Sequence, residues 1–231
     1  MRLLIVSDIH ANRAALEKID ENVDAVAFLG DAVDYGADAD AAVGWVRRWA
    51  THAIRGNHDH AVATGAATRA SPAMAAVAEA CATWTRASLP EADRVFLAGL
   101  PASASFEFAG ASFVAVHAAP SDPLYRYLPP ETSEESWRRE LQDVHSDWLL
   151  YGHTHRPLLR RIGAVTILNP GSVGQPRDGA PFVSYAIWED GDVRFIRRAY
   201  DAEASCRRLA HVTLDQRGRA QLRRLLRRGS S

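Results

Sequence analysis

The 231-residue sequence predicts a layered α/β fold built as a single domain. Short apolar runs rich in Val, Ile and Leu recur along the chain, and continuous runs of this kind are typical of strands buried on both faces. Helical patterns separate these runs, and the alternation of strands with helices indicates α/β layers. After residue 156 the strands follow one another without helices, which predicts a second, antiparallel sheet packed on the first.

Local signals place the individual elements. Five apolar runs that end in polar residues are predicted strands: RLLIVSDIH, DAVAFLGDAVD, THAIRGNHD, SFVAVHA and DWLLYGHTH. Asn12 is a candidate N-cap for a helix over RAALEKIDE, residues 38–50 place apolar residues including Trp49 at helical spacing, and residues 72–88 form a longer helical pattern. The EDGD stretch around residue 190 predicts a hairpin turn.

The composition is that of an ordinary globular protein. Hydrophobic residues make up 47% of the chain and charged residues 24%, and the net charge of −1 indicates no particular partner. No apolar run approaches the ~20 residues of a membrane span, and the first run is too short for a signal peptide, so we expect a cytoplasmic protein with no membrane partner. Cys81 and Cys206 cannot form a disulfide framework and are consistent with a reducing compartment.

The C-terminal tail differs from the rest of the chain in charge. Between Arg194 and Arg228 there are eleven arginines and only three acidic residues. The run QLRRLLRR is typical of an amphipathic helix with a solvated basic face, and we expect Leu222, Leu225 and Leu226 to pack inward. A basic segment that binds nucleic acid is the alternative.

The polar residues at the strand ends are the strongest functional signal. In an open α/β sheet, functional groups collect beyond the carboxyl ends of the strands, so these residues should meet at one crevice. Each motif alone has an ordinary explanation as a turn, a helix cap or a core histidine, but the joint pattern predicts a metal site. Carboxylate, amide and imidazole ligands without thiolate suit Mn, Fe, Zn, Co or Ni and do not choose between them, and of these metals we expect Mn. The strand-end residues are Asp8, His10, Asp31, Asp34, Asn57, His58, Asp59, His117, His153 and His155.

The ordered motifs DIH, GDAVD, GNHD, VHA and GHTH resemble the calcineurin-like metallophosphoesterase superfamily. The resemblance covers about residues 3–199, and WTRASLP, VHAAPSDPLYRYL and NPGSVGQPRDG resemble its compact bacterial branch of phosphodiesterases and dinucleoside-polyphosphate hydrolases. It implies a four-layer αββα sandwich with two packed mixed sheets flanked by helices. The phosphoesterase domain would then span residues 1–199, and residues 200–231 would form a basic helical tail packed on it or trailing from it.

The resemblance also implies a centre of two divalent metal ions. One metal would be held by Asp8, His10, Asp31 and His155, and the other by Asp31, Asn57, His117 and His153. His58 would act on the leaving group as a general acid or as a positive charge, with Asp34 orienting its ring.

Four further residues are candidate substrate contacts. Tyr35 stands where the protein Ser/Thr phosphatases have arginine, so we do not expect protein phosphatase activity. Arg177 could contact phosphate, although an exposed loop arginine is often only solvated. Tyr125 and Tyr127 could stack on a nucleobase, and the alternative is that they pack their loop onto the core.

The sequence therefore predicts a hydrolase that cleaves phosphodiester or phosphoanhydride bonds of a small nucleotide-type substrate through attack by a metal-bridging hydroxide. We expect deletion of residues 212–231 to leave this activity nearly intact. A nuclease acting on DNA or RNA is one alternative, and a non-catalytic scaffold of the same fold is another. The complete set of histidines argues against the scaffold.

Overall fold

A computed structural model describes residues 1–229 and has ten strands and eight α-helices within that range. The strands are β1 (Arg2–Val6), β2 (Ala25–Phe28), β3 (His52–Ala53), β4 (Ser103–Phe108), β5 (Ala111–Val116), β6 (Trp148–Leu150), β7 (Leu158–Ile162), β8 (Val165–Asn169), β9 (Phe182–Glu189) and β10 (Asp192–Ala199). The helices are α1 (Arg13–Leu16), α2 (Ala39–Trp49), α3 (Asn57–Thr64), α4 (Ala75–Ser88), α5 (Glu91–Gly99), α6 (Glu134–Glu140), α7 (Ala202–Arg208) and α8 (Gln216–Arg228).

The strands form two mixed sheets of five strands each. The first has the order β10-β9-β1-β2-β3, in which β1, β2 and β3 are parallel, and the second has the order β4-β5-β6-β8-β7, in which β5, β6 and β8 are parallel. The expectation that the strands after residue 156 form a separate antiparallel sheet is wrong. Strands β7 and β8 complete the second sheet, whereas β9 lies between β1 and β10 in the first, where its buried residues Val183–Trp188 have strand neighbours on both sides.

Alternating side chains show how the two sheets pack. Leu3 and Ile5 of β1 lie in one apolar cluster with Phe113 and Trp148 of the second sheet, so the sheets face each other. The intervening residues of β1 point to the other side and pack on α1, α2 and α5. Helix α6 covers the outer face of the second sheet through Trp137, which is fully buried. The predicted αββα sandwich is therefore confirmed.

Several helix boundaries differ from the sequence predictions. Asn12 is the N-cap of α1, and its side chain accepts a hydrogen bond from the Ala15 amide, but the helix ends after four residues at Leu16. Trp49 is 51% exposed, because it lies in the last turn of α2 beyond the apolar stripe.

The predicted hairpin turn is confirmed between β9 and β10. None of the helices in residues 1–229 is long and apolar enough to span a membrane.

The C-terminal helices are packed on the domain. Leu222, Leu225 and Leu226 of α8 are buried as expected, in a cluster with Cys81 of α4 and with Tyr35. Most of the arginines of α8 lie on the opposite, solvent-facing side. We refer to this set of buried side chains as the tail cluster.

Candidate metal centre

The predicted site residues meet where the parallel strands of both sheets end. Hydrogen bonds hold the loops together at this edge: within the second sheet, the Gly152 amide after β6 donates to the His117 carbonyl after β5 at 2.9 Å. The His153 amide donates to Oδ2 of Asp8 at 3.1 Å. A loop that follows β1 is thereby fixed to a loop that follows β6, although 145 residues separate them in the chain.

The backbone at this edge is strained. Eight of the eleven non-glycine residues with positive φ in residues 1–229 lie here, among them Asp8 at 54° and His153 at 65°. Non-glycine residues persist in this left-handed region only when surrounding contacts hold them there, and such residues concentrate at functional sites. The eight are Asp8, His10, Ala11, Asp31, Asp34, Tyr35, His153 and His155.

One group of ligand atoms is formed by Asp8, His10 and His155, and we call it the inner group. All three residues are buried. The Nε2 atom of His155 lies 3.2 Å from Oδ1 of Asp8 and 3.2 Å from Nε2 of His10. The ligand atoms of the group lie within 4.8 Å of one another, which suits a single shared cation.

A second set of ligand atoms, the outer group, is formed by Asp31, His117 and His153. The Nε2 atom of His117 lies 3.2 Å from Oδ2 of Asp31 and 3.0 Å from Oδ1 of Asn57. His153 is less buried than the other two. Since Oδ2 of Asp31 also lies 3.8 Å from Nε2 of His10, Asp31 stands between the inner and outer groups.

Hydrogen bonds fix which histidine nitrogens can bind a cation. The Nδ1–H of His10 donates to the Val33 carbonyl at 3.2 Å, and that of His155 to the Gln175 carbonyl at 2.6 Å. A carbonyl can only accept, so both Nε2 atoms carry lone pairs and cannot hydrogen-bond to each other. Burial, followed by the charge of His155, lowers the pKa of His10 well below its usual value, which keeps that ring neutral.

Two buried carboxylate oxygens lack a hydrogen-bond donor within residues 1–229. They are Oδ1 of Asp8 and Oδ2 of Asp31. An unpartnered buried carboxylate oxygen is costly unless a cation neutralises it. The lone oxygens face the histidine nitrogens of the inner and outer groups, so the residues present fit two divalent ions.

Asp59 holds the Asp31 loop against helix α3. Its carboxylate accepts hydrogen bonds from the backbone amides of Gly56 and Asp31, at 3.1 and 2.8 Å, and also from two further amides of the loop after Asp31. Burial, with a contribution from Asp31, raises the pKa of Asp59 to about 6. A side chain at Gly56 would collide with Oδ1 of Asp31, because its Cβ would lie 2.0 Å away.

His58 and Asp34 form a buried pair beside the outer group. The Nδ1 atom of His58 lies 2.5 Å from Oδ2 of Asp34, so Nε2 is the ring atom left for a substrate. Burial raises the pKa of Asp34, whereas for His58 the charges of Asp31 and Asp34 outweigh burial and raise its pKa. The Tyr35 ring lies 4.7 Å from the His58 ring and 5.0 Å from the His10 ring.

A cleft of about 520 Å³ opens over these groups. The four predicted substrate contacts, Arg177, Tyr35, Tyr125 and Tyr127, all line it. Tyr127 is 49% exposed, and its ring meets the His153 ring edge-on at 5.6 Å. Tyr125 is half-buried, so neither of these two tyrosines belongs to the core.

A family model described as the calcineurin-like phosphoesterase superfamily domain matches residues 1–191. The chain belongs to this superfamily. It is 30% identical to a metallophosphoesterase from Sphaerobacter thermophilus, with a TM-score of 0.81 and coverage of 96% of this chain and 98% of the other.

Two further proteins are also similar to this chain. Protein PH1004 of Pyrococcus horikoshii has a TM-score of 0.81 at 20% identity, covering 100% of this chain and 99% of that protein. The uncharacterized protein MJ0912 of Methanocaldococcus jannaschii is 27% identical over 237 residues, which cover 93% of this chain and 94% of the relative.

The structure adds residues to the candidate site that sequence reasoning missed. Arg69 and Arg156 also line the cleft. Thr68 is fully buried, and its carbonyl accepts a hydrogen bond from the side-chain amide of Asn57 at 2.8 Å. Glu79 of α4 in turn accepts hydrogen bonds from the Thr68 amide and hydroxyl. None of these residues follows a strand directly, and this is why the strand-end pattern did not include them.

Proposed function

We propose that the protein is a hydrolase with a centre of two metal ions that cleaves phosphodiester or phosphoanhydride bonds in small nucleotide-type molecules. The observation that carries the proposal is the position of Asp31. Its unpartnered oxygen lies between the inner and outer groups, where one carboxylate can serve two cations. Pairs of ions of this kind are used by many phosphatases and nucleases.

The inner group with Asp31 would hold one cation, and the outer group with Asn57 would hold the other. When bound, two such cations supply Lewis acidity to phosphoryl oxygens and make water acidic enough to attack at neutral pH. The donor set is oxygen and imidazole nitrogen, for which we propose Mn in preference to Fe, Zn, Co or Ni.

The chain itself contributes orientation and charge. The Asn57 side chain is aimed by its hydrogen bond to the Thr68 carbonyl, and the His58 amide donates to Oδ1 of Asp31 at 2.9 Å, which leaves Oδ2 for the cations. The pair of His58 and Asp34 would place a protonated ring nitrogen at the leaving group, as a positioned acid does.

The cleft supports a nucleotide-sized substrate. Its volume of about 520 Å³ lies within the usual range for small-molecule sites. The Tyr127 ring has an exposed face for a base, and Arg177 lies beside the inner group, since its amide donates to the His155 carbonyl. These features favour a small phosphorylated substrate with an aromatic base.

A nuclease remains the second candidate because of the basic face of α8. Arg219, Arg223 and Arg224 lie on one side of this helix, whereas its apolar side packs in the tail cluster. Binding of nucleic acid through this face would fall steeply with salt concentration. Hydrolysis of a small diester should show no comparable dependence.

The deciding experiment is a substrate screen of protein freed of metal and reloaded with Mn, Mg, Zn or Ni. We expect hydrolysis of bis(p-nitrophenyl) phosphate and of a dinucleoside polyphosphate, with lower kcat/KM for p-nitrophenyl phosphate. The matched control is Asp31→Asn, which should lose activity about 1,000-fold with every metal. Absence of hydrolysis with every metal would reject the proposal and favour the scaffold.

A further inference from the structure

Three arginines line the cleft, and their side chains are engaged to different extents. The two terminal nitrogens of the Arg156 guanidinium donate to the two carboxylate oxygens of Glu131, at 2.5 and 2.8 Å. Arg177 donates to the side-chain oxygen of Gln175 at 2.8 Å. Arg69 has neither a carboxylate partner nor a side-chain hydrogen bond within residues 1–229.

The backbone of Arg69 is fixed close to the outer group. Arg69 directly follows Thr68, whose carbonyl accepts the hydrogen bond from Asn57 and whose amide and hydroxyl donate to Glu79. Arg69 itself adopts a φ of 53°, a left-handed conformation that an arginine rarely takes without surrounding constraints. The segment is therefore held in place before any substrate binds.

The guanidinium of Arg69 lies over the ring of Tyr125, with its central carbon 4.4 Å from the ring centre. Stacking on an aromatic ring restrains a guanidinium but leaves its N–H groups free at the edge. The same contact occupies one face of Tyr125, so that face is not open to a nucleobase. One face of Tyr125 thus supports Arg69, and stacking of a base on Tyr125, as the sequence predicts, would have to use the other face.

We infer that Arg69 is a specificity-determining residue that binds a second anionic group of the substrate, next to the phosphoryl group that is cleaved. The inference rests on the proposed function, because the first phosphoryl group is assigned to the two cations. A planar guanidinium with free N–H groups is suited to phosphate oxygens. The preferred substrates therefore carry at least two neighbouring phosphoryl groups.

The experiment measures binding, so that it does not depend on turnover. Full-length Mn-loaded protein is titrated calorimetrically with methylenediphosphonate and with methylphosphonate, which differ by one anionic group. In Arg69→Gln, the preference for the diphosphonate should fall about tenfold, the size of one charge-assisted hydrogen bond. The matched control is Arg161→Gln, an exposed arginine on β7, which should keep the wild-type preference.

The inference would be overturned if Arg69→Gln kept the wild-type preference for the diphosphonate, whether both ligands bound as before or both bound more weakly by the same factor. Hydrolysis of bis(p-nitrophenyl) phosphate by the wild-type protein is measured in parallel, as the test of the proposed function itself. Absence of hydrolysis by the wild-type protein would reject the proposed function. The ratio of the binding constants for methylenediphosphonate and methylphosphonate would still decide the role of Arg69.

Discussion

The inner and outer groups hold similar ligands but have different surroundings. In the inner group all three residues are buried, and two histidines are fixed by backbone carbonyls. The outer group opens to the cleft through His153 and is supported by the side-chain network of Asn57, Thr68 and Glu79. Since His155 of the inner group also lines the cleft, the two groups differ in how deeply they are buried and in which contacts support them.

The electrostatics of the two groups differ as well. For His117 of the outer group, the charge of Asp31 outweighs burial and raises the pKa to about 9. For His153, burial and the charge of His117 lower the pKa to about 3. Asp31 is the residue that links the groups, so changes to it should have the largest effect.

The strongest test of the shared site is Asp31→Asn. Both cations should bind much more weakly, and activity should fall about 1,000-fold, because the ions supply several kcal/mol of transition-state stabilisation. Elemental analysis and kcat/KM measure the two effects. The exposed Asp192 provides the control Asp192→Asn, which should behave as wild type. Two tightly bound ions in Asp31→Asn would show that this residue does not join the groups.

A second variant, His58→Ala, separates catalysis from metal binding. Turnover should fall by ~100-fold or more, the usual size for a positioned acid, while both metals remain bound. His60→Ala, on the same helix α3, is the control and should keep most of the activity. If His58→Ala lost metal instead, His58 would have to be counted among the ligands.

The third test measures how much the packing of the tail cluster stabilises the fold. Leu222→Ala should lower the free energy of unfolding by ~2–5 kcal/mol, the range for a buried leucine, whereas the exposed Leu159→Ala should have little effect. Thermal or denaturant unfolding gives both values.

The same cluster bears on deletion of residues 212–231, which the sequence suggested would be tolerated. Tyr35 belongs to the tail cluster and touches the His10 and His58 rings, so we now expect the deletion to lower kcat/KM more than tenfold. Full activity of the truncated protein would show that Tyr35 holds its position without the tail.

The smallest expected effect distinguishes the two groups most sharply. Thr68→Val removes the hydroxyl that donates to Glu79 at 2.7 Å while keeping the size of the side chain. Affinity for the outer cation should fall about tenfold, the low end for loss of a supporting hydrogen bond, and affinity for the inner cation should stay unchanged. Titration with a competing chelator resolves the two affinities. Equal weakening of both would contradict the separation of the groups.

The sequence allowed the metal-ligand candidates to be identified because they directly follow strands, where the fold brings distant segments together. Asp8 and His153 illustrate this, since each is two or three residues beyond a strand end. Arg69 could not be found in this way, because it enters the cleft from a loop through a left-handed backbone conformation. The sheet to which β9 belongs could not be predicted either, because a buried apolar strand can pair in either sheet.

The position of Asp8 in the chain has a consequence for biosynthesis. Its carbonyl accepts hydrogen bonds from the Gly174 amide and the Ser172 hydroxyl, and β1 pairs with β9 at residues 186–189. Asp8 is therefore synthesised before Ser172, which lies 164 residues further along the chain. Since the inner group needs both Asp8 and His155, a nascent chain cannot complete it on the ribosome until His155 has emerged, and a cation can be held there only after that point.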